Sequence, residues 1–198
     1  MILKVCGITN AEDAAAAIAS GATAVGFNFY SRSPRYIAPE RAALIATPGV
    51  RRVGVFVNET VARIEETART AALDTAQLHG DELPSDYPNI TVWKAARVGQ
   101  GFTFESYEHA PAEALLLDGP TADLYGGAGQ TFDWRLAARS TKRIIIAGGL
   151  DASNVARAIG IARPWGVDAC SRIESAPGKK DHQKMNQFLQ AAKAALRA

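Results

Sequence analysis

Cys6 ends a strand-like run, Ile2-Leu3-Lys4-Val5-Cys6, and Gly7-Ile8-Thr9-Asn10 follow it. Gly7 permits a sharp turn there, and Thr9 or Asn10 can cap a following helix. A thiol so placed is a candidate general base, because its unperturbed pKa of about 8.5 comes into range once a neighbour stabilises the thiolate. Lys4, two residues back and therefore on the same side of a strand, is one such neighbour. A small buried structural cysteine is the plainer reading of Cys6 taken alone. Asp118 offers the complementary acid. It directly follows Leu115-Leu116-Leu117, and burial of a poorly solvated carboxyl suits it to donating a proton. A turn cap is the commoner use of an Asp after a strand.

Other residues of chemical interest also follow strand-like segments. Glycine lets a backbone approach an oxyanion with no Cβ in the way, so the N–H groups of Gly148, Gly149, Ser171 and Arg172 make a candidate phosphate cradle. Either segment alone reads equally well as a tight turn. The run Gly126-Gly127-Ala128-Gly129 reads as a cover over the site. Arg32 and Arg35 flank Ser33-Pro34 and supply fixed positive charge. A guanidinium matches a carboxylate through two hydrogen bonds, although most loop arginines are simply solvated. His79 is a third candidate titrating group, with a hydrogen-bonded structural histidine as its alternative. His109 and His182 receive no catalytic role.

The elements that must position these groups alternate from end to end. Strand patterns cover Leu3–Cys6, Ala24–Phe29, Val53–Val57, Thr75–Leu78, Val92–Ala95, Ala114–Leu117, Arg143–Ala147 and Gly166–Ala169. Helical patterns lie near Ala11–Ser20, Pro39–Ala46, Val61–Ala72, Leu83–Tyr87, Phe104–His109, Asp133–Ala138, Ala152–Ile161 and Lys180–Arg197. Eight such units specify an α/β fold, a (β/α)8 (TIM) barrel, with an open doubly wound sheet as the alternative. On a barrel every chemical cluster above falls on one face, and the loops after strands seven and eight are the usual phosphate site. Trp93, Trp134 and Trp165 are expected between the barrel and its helices.

The totals agree. The 198 residues are 47% hydrophobic and 21% charged, with no Pro/Gly-rich linker, so residues 1–198 read as one globular domain. A net charge of +2 gives no nucleic-acid footprint. No apolar run approaches membrane-spanning length, and Glu12-Asp13 before the Ala14–Ala19 run argue for a helix over a signal core. Two widely spaced cysteines specify neither a disulfide framework nor a zinc site. The expectation is a soluble cytoplasmic protein, a monomer rather than a homodimer.

Eight segments then resemble one family in order: KVCGIT, GFNFYSRSPRYI, VGVFVN, QLHGDE, LLLDG, YGGAGQTFDW, AGGLDASNV and PGKKDHQKM. They resemble phosphoribosylanthranilate isomerase of tryptophan biosynthesis. The resemblance implies a (β/α)8 barrel and an Amadori rearrangement of N-(5'-phosphoribosyl)anthranilate to 1-(2-carboxyphenylamino)-1-deoxyribulose 5-phosphate, without metal or organic cofactor. Cys6 would be the base, Asp118 the acid and Arg35 the holder of the anthranilate carboxylate. Arg35, His79, Gly127, Gly148, Gly149, Ser171 and Arg172 form the expected substrate-binding set. One departure stands out. The family usually reads Ser-Ser-Gly-Val-Glu after strand eight, where this chain has Cys170-Ser171-Arg172-Ile173-Glu174.

Three other readings compete. A sugar-phosphate epimerase would show metal-ligand His and Asp residues at strand ends, and only His79 among the histidines qualifies. The related histidine-pathway isomerase resembles an Asp-Asp pair, with Asp in place of Cys6. A silent phosphate-binding barrel would have no use for both Cys6 and Asp118. Two structural expectations follow from barrel closure. Lys4 and Asp168 precede Cys6 and Cys170 by two residues, so they are expected to form a buried ion pair. Closure also makes β1 and β8 neighbours, so oxidation joining Cys170 to Cys6 is one reading of Cys170, and a merely tolerated Ser-to-Cys exchange is the commoner one.

Overall fold

The computed structural model describes residues 1–99, 101–107, 109–119 and 131–196. Eight strands make a closed parallel barrel in chain order: β1 (Ile2–Cys6), β2 (Ala24–Asn28), β3 (Arg51–Phe56), β4 (Thr75–Leu78), β5 (Thr91–Arg97), β6 (Ala114–Asp118), β7 (Ile144–Ile146) and β8 (Gly166–Ala169). β8 returns to β1 with Lys4 opposite Asp168 and Val5 opposite Ala169. Most of these strands are buried on both faces, which is why they read as near-continuous apolar runs.

Helices cover the outside: α1 (Ala11–Ser20), α2 (Pro39–Ala43), α3 (Val61–Thr70), α4 (Val155–Ala162) and α5 (His182–Ala195). Asn10 caps α1 by accepting from the Asp13 N–H at 2.8 Å, and Asp181 caps α5 by accepting from Lys184. Among the described residues no helix is long and apolar enough to cross a membrane. The helices expected near Leu83–Tyr87, Phe104–His109 and Asp133–Ala138 shrink to single 3-10 turns at Pro84–Asp86, Glu105–Tyr107 and Ala137–Arg139. Pro84 and Pro88 confine the first, and Pro111 stops the second.

Two layers of core result. Outward-facing strand residues and the apolar faces of the helices form one cluster, which includes Val5, Phe27, Ile64, Leu117 and Phe188. A second buried cluster, Ala24, Val53, Trp93, Ala95, Ala114, Leu116, Ile145 and Ala147, fills the barrel itself. Here one expectation is corrected. Trp134 packs with the outer cluster, but Trp93 lies in the inner one and Trp165 packs against it. Trp93 donates to Glu113 at 2.9 Å and meets Trp165 edge to face at 5.8 Å. Small neighbours at Ala24, Ala95 and Ala114 leave room for one large ring inside.

A short antiparallel hairpin, β9 (Glu174–Ala176) and β10 (Lys179–Lys180), follows β8. It turns through Gly178, whose φ of 80° suits glycine. Asp13 of α1 accepts from the Lys180 N–H at 2.9 Å and contacts His182 at 2.8 Å, clasping the hairpin to the seam where the barrel closes.

Candidate active site

At the β1–β8 seam the expected ion pair forms. Lys4 Nζ lies 2.9 Å from Asp168 Oδ2, with the lysine side chain wholly buried. The two residues are direct register partners, so barrel stagger does not part them. Burial works against the Lys4 ammonium, but Asp168 and then Cys6 outweigh it and hold the charge in place. Burial pushes the Asp168 carboxyl up to about 7, with Lys4 opposing and the Cys6 charge adding to the rise. Asp168 Oδ1 makes no hydrogen bond among the described residues.

Cys6 stands one layer above. Gly26 is its partner on β2, and a Cβ there would lie 2.8 Å from Cys6 Sγ and 3.1 Å from Lys4 Cε. Both side chains therefore rest on the bare Gly26 backbone, close to one another. A hydrogen bond from Cys170 lowers the Cys6 thiol well below its ordinary range; burial opposes, and Lys4 and Lys180 add to the lowering. Cys170 shifts the opposite way, raised by its bond to Cys6 and by burial. Lys180, fully buried on β10, reaches Glu174 Oε1 at 2.8 Å and Cys170 Sγ at 3.9 Å. The site thus favours a thiolate at Cys6 and a thiol at Cys170.

Arg35 leaves the loop after β2, which folds back on itself through Asn28. The Asn28 side chain accepts from the Tyr30 N–H and donates to Ser33 Oγ, and Ser33 Oγ accepts from the Arg35 N–H. The guanidinium passes over Gly7, where a Cβ would meet Arg35 Cδ at 2.8 Å. It then clamps Glu174, with Nε 3.0 Å from Oε1 and Nη2 2.8 Å from Oε2. Burial works against the Glu174 carboxylate, but Arg35 and Lys180 outweigh it and hold its pKa below the usual value. Arg35 is thus fixed by a residue 139 positions away, leaving its Nη1 edge outside the Glu174 pair. Arg32 stays exposed.

On the opposite side of the mouth, Asp118 ends β6 and is buried. Its Oδ2 lies 3.5 Å from His79 Nε2, beyond a hydrogen bond but within ion-pair reach. Gln77 Nε2 lies 3.0 Å from His79 Nδ1. Nδ1 is thus engaged by Gln77, and Nε2 is the ring nitrogen that faces Asp118. Behind this face Lys94 donates to Glu82 at 2.8 Å and to the Gly80 carbonyl at 2.6 Å, while Glu82 accepts from the N–H groups of Asn58 and Gly80. That staple holds the loop carrying His79.

The third corner is the pair of loops after β7 and β8. Gly148 and Gly149 take φ of 78° and 63°, a left-handed pair that only glycine adopts without strain. Asn154 Nδ2 donates to the Gly149 carbonyl at 2.8 Å. Ser171 and Arg172 begin a 3-10 turn immediately after Cys170. Arg172, in the position where the resembling family usually has Gly, reaches across to Asp151 at 2.9 Å and ties the two loops together. Gly127 and the cover expected at Gly126–Gly129 lie outside the described residues.

The structure therefore gathers Cys6, Asp118, Arg35, His79, Gly148, Gly149, Ser171 and Arg172 on one barrel face. Sequence reasoning did not single out Glu174, Lys180, Gln77 or Lys94. The doubled lysine Lys179-Lys180 was the available signal, since one of two adjacent strand residues must face inward. The residues that an epimerase-type metal centre needs are not gathered among the described residues.

Comparison with known proteins agrees with this geometry. The sequence model of N-(5'phosphoribosyl)anthranilate (PRA) isomerase matches residues 3–191. The N-(5'-phosphoribosyl)anthranilate isomerase of Solibacter usitatus (strain Ellin6076) is 73% identical over 199 residues, covering 100% of both chains. The crystal structure of phosphoribosyl anthranilate isomerase from Thermotoga maritima superposes with a TM-score of 0.86 at 40% identity, over 98% of this chain and 100% of that one. A structure of the isomerase in complex with reduced 1-(o-carboxyphenylamino)-1-deoxyribulose 5-phosphate gives a TM-score of 0.83 at 39% identity, over 98% and 100%. A family match along nearly the whole chain, on a barrel with these groups at its mouth, has one meaning: the chain belongs to the N-(5'-phosphoribosyl)anthranilate isomerase family.

Proposed function

We propose that the chain catalyses the Amadori rearrangement of N-(5'-phosphoribosyl)anthranilate to 1-(2-carboxyphenylamino)-1-deoxyribulose 5-phosphate in tryptophan biosynthesis, with Cys6 as base and Asp118 as acid. The observation that carries this reading is the geometry of the mouth: Cys6 ends β1 one layer above the buried Lys4, and the buried Asp118 ends β6, with β7 and β8 between them. Asp118 gives its proton to the furanose ring oxygen as the C1′–O4′ bond breaks. The anilino nitrogen supplies the electron pair, leaving an iminium at C1′. Cys6 removes the proton from C2′, whose electrons form the enolamine, and tautomerisation then yields the ketone. Asp118 has lost one proton and Cys6 has gained one, so the two must exchange before the next turnover. His79, with Nε2 3.5 Å from Asp118 Oδ2, is placed to steady the carboxylate that remains.

The phosphate fits the cradle of Gly148, Gly149, Ser171 and Arg172, and Gly127 belongs to the same proposed binding set. Arg35 offers its remaining edge to the anthranilate carboxylate, with Glu174 fixing its position. The compound held by the solved complex has the carbon skeleton of this product. We read residues 1–198 as one domain acting as a monomer in the cytoplasm, where two adjacent free thiols stay reduced. The test is a fluorescence assay with freshly made N-(5'-phosphoribosyl)anthranilate. Turnover by the intact chain supports the reading, and a properly folded chain that leaves the substrate unchanged contradicts it.

A further inference from the structure

The proposed proton transfers use one thiol, and the site holds two. Lys4 faces Asp168 and Val5 faces Ala169 across the seam, and Cys6 and Cys170 each directly follow the last of these partners. Neighbouring strands lie about 4.8 Å apart, inside the Cα separation of about 4.4–6.8 Å over which disulfides close. Alternation turns Cys6 the same way as Lys4, which meets Asp168 at 2.9 Å inside the barrel, and Cys170 directly follows β8. Cys170 Sγ lies over Gly7, 3.1 Å from where a Cβ would stand, and so beside the Cys6–Gly7 peptide. The Cys170 thiol lowers the pKa of Cys6, and both thiols are free and partly exposed.

We propose that Cys6 and Cys170 form a dithiol that hydrogen peroxide oxidises to a disulfide within one chain, a modification site laid over the base. The two thiols divide the chemistry. A thiolate next to a cation is the form that attacks peroxide, and the neighbouring thiol resolves the product once it has lost its own proton. The Cys6 thiolate attacks one peroxide oxygen and the O–O bond breaks. Sulfur is oxidised to the sulfenic acid, peroxide is reduced, and hydroxide leaves. Cys170 then gives up its proton, its sulfur attacks Cys6 Sγ, the S–O bond breaks and water departs as the S–S bond forms. Lys180, 3.9 Å from Cys170 Sγ, is placed to stabilise the second thiolate at that moment. The disulfide ties β1 to β8 at the mouth and removes the base, and reduction restores both thiols.

The test compares the reduced chain with Cys170→Ser after hydrogen peroxide, each measured against its own reduced activity. The intact chain is expected to fall from two titratable thiols to none, to lose the mass of two hydrogen atoms and to stay uncrosslinked between molecules. Its activity should fall by on the order of a hundredfold or more, the weight of a general base, and return with dithiothreitol. Cys170→Ser should instead gain oxygen at Cys6 and, on continued exposure, lose activity that reductant does not restore. Two thiols surviving in the intact chain, oxygen added at Cys6 with Cys170 still free, or identical loss and recovery in Cys170→Ser would each overturn the proposal. Thiol count and mass need no substrate, so they stand apart from any failure of the isomerase assay.

Discussion

Of the buried lysine–carboxylate pairs, the two set on barrel strands, on β1 and β5, have nearly the same geometry. Lys4 meets Asp168 at 2.9 Å and Lys94 meets Glu82 at 2.8 Å. They differ in where the charge points. Lys4 is an inward residue of β1, one layer below Cys6, and its field reaches the thiol. Lys94 alternates with the inward Trp93 and Ala95, so it points out of the barrel. There it is consumed by Glu82 and two backbone carbonyls. An ion pair inside the barrel thus tunes the chemistry, while one outside it shapes a loop. Strand parity, more than the pair itself, decides between the two roles.

Removing either reacting group should have the largest effect. Cys6→Ala and Asp118→Asn are each expected to lower kcat by on the order of a hundredfold or more with the fold intact, as for other proton-transfer groups. A loss of only a few-fold in steady-state kinetics would refute the assigned role.

Lys4→Met comes next. It leaves Asp168 buried without its cation and should destabilise the chain by about 3 kcal/mol in denaturant titrations near neutral pH. The deficit should shrink as pH falls. Burial already pushes Asp168 up to about 7 beside Lys4, and without the ammonium it takes up a proton more readily still. A folded-state pKa raised above the unfolded one favours folding at low pH and loses that contribution as pH rises through it. Equal deficits at about pH 6 and about pH 8 would contradict this account of the pair.

Lys94→Met sharpens the contrast. Its stability cost should be similar, about 3 kcal/mol, because Glu82 is left buried. The effect on activity should come through the loop carrying His79, with the titration of Cys6 unmoved. The smallest effect belongs to Arg172→Gly. Its exposed pair with Asp151 is worth about 0.5 kcal/mol, roughly a twofold rise in KM as the freed Asp151 carboxylate faces the incoming phosphate.

Much of this was legible in the residues, for definite reasons. The barrel strands are short apolar runs closed by a polar residue, Gly or Cys, and parity with barrel closure placed Lys4 opposite Asp168. Trp93 was misplaced because residue type was weighed above parity, although its position two before Ala95 put it inside. The β9–β10 hairpin left little trace, since its strands are very short and its turn, Pro177-Gly178, resembles any loop. Without that hairpin neither Lys180 nor Glu174 could be brought to the mouth, and the 139-residue reach from Arg35 to Glu174 obeys no local rule.

The central claim is that a cation inside the barrel, Lys4, acts with Cys170 to favour the Cys6 thiolate. Its most direct test is the pH dependence of Cys6 alkylation by iodoacetamide, resolved by peptide from Cys170, in the intact chain, Lys4→Met and Lys94→Met. The intact chain should show a midpoint well below the value of about 8.5 for a free thiol. Lys4→Met should move that midpoint upward and Lys94→Met should leave it in place. A midpoint at the free-thiol value in the intact chain, or the same midpoint in all three proteins, would contradict the account.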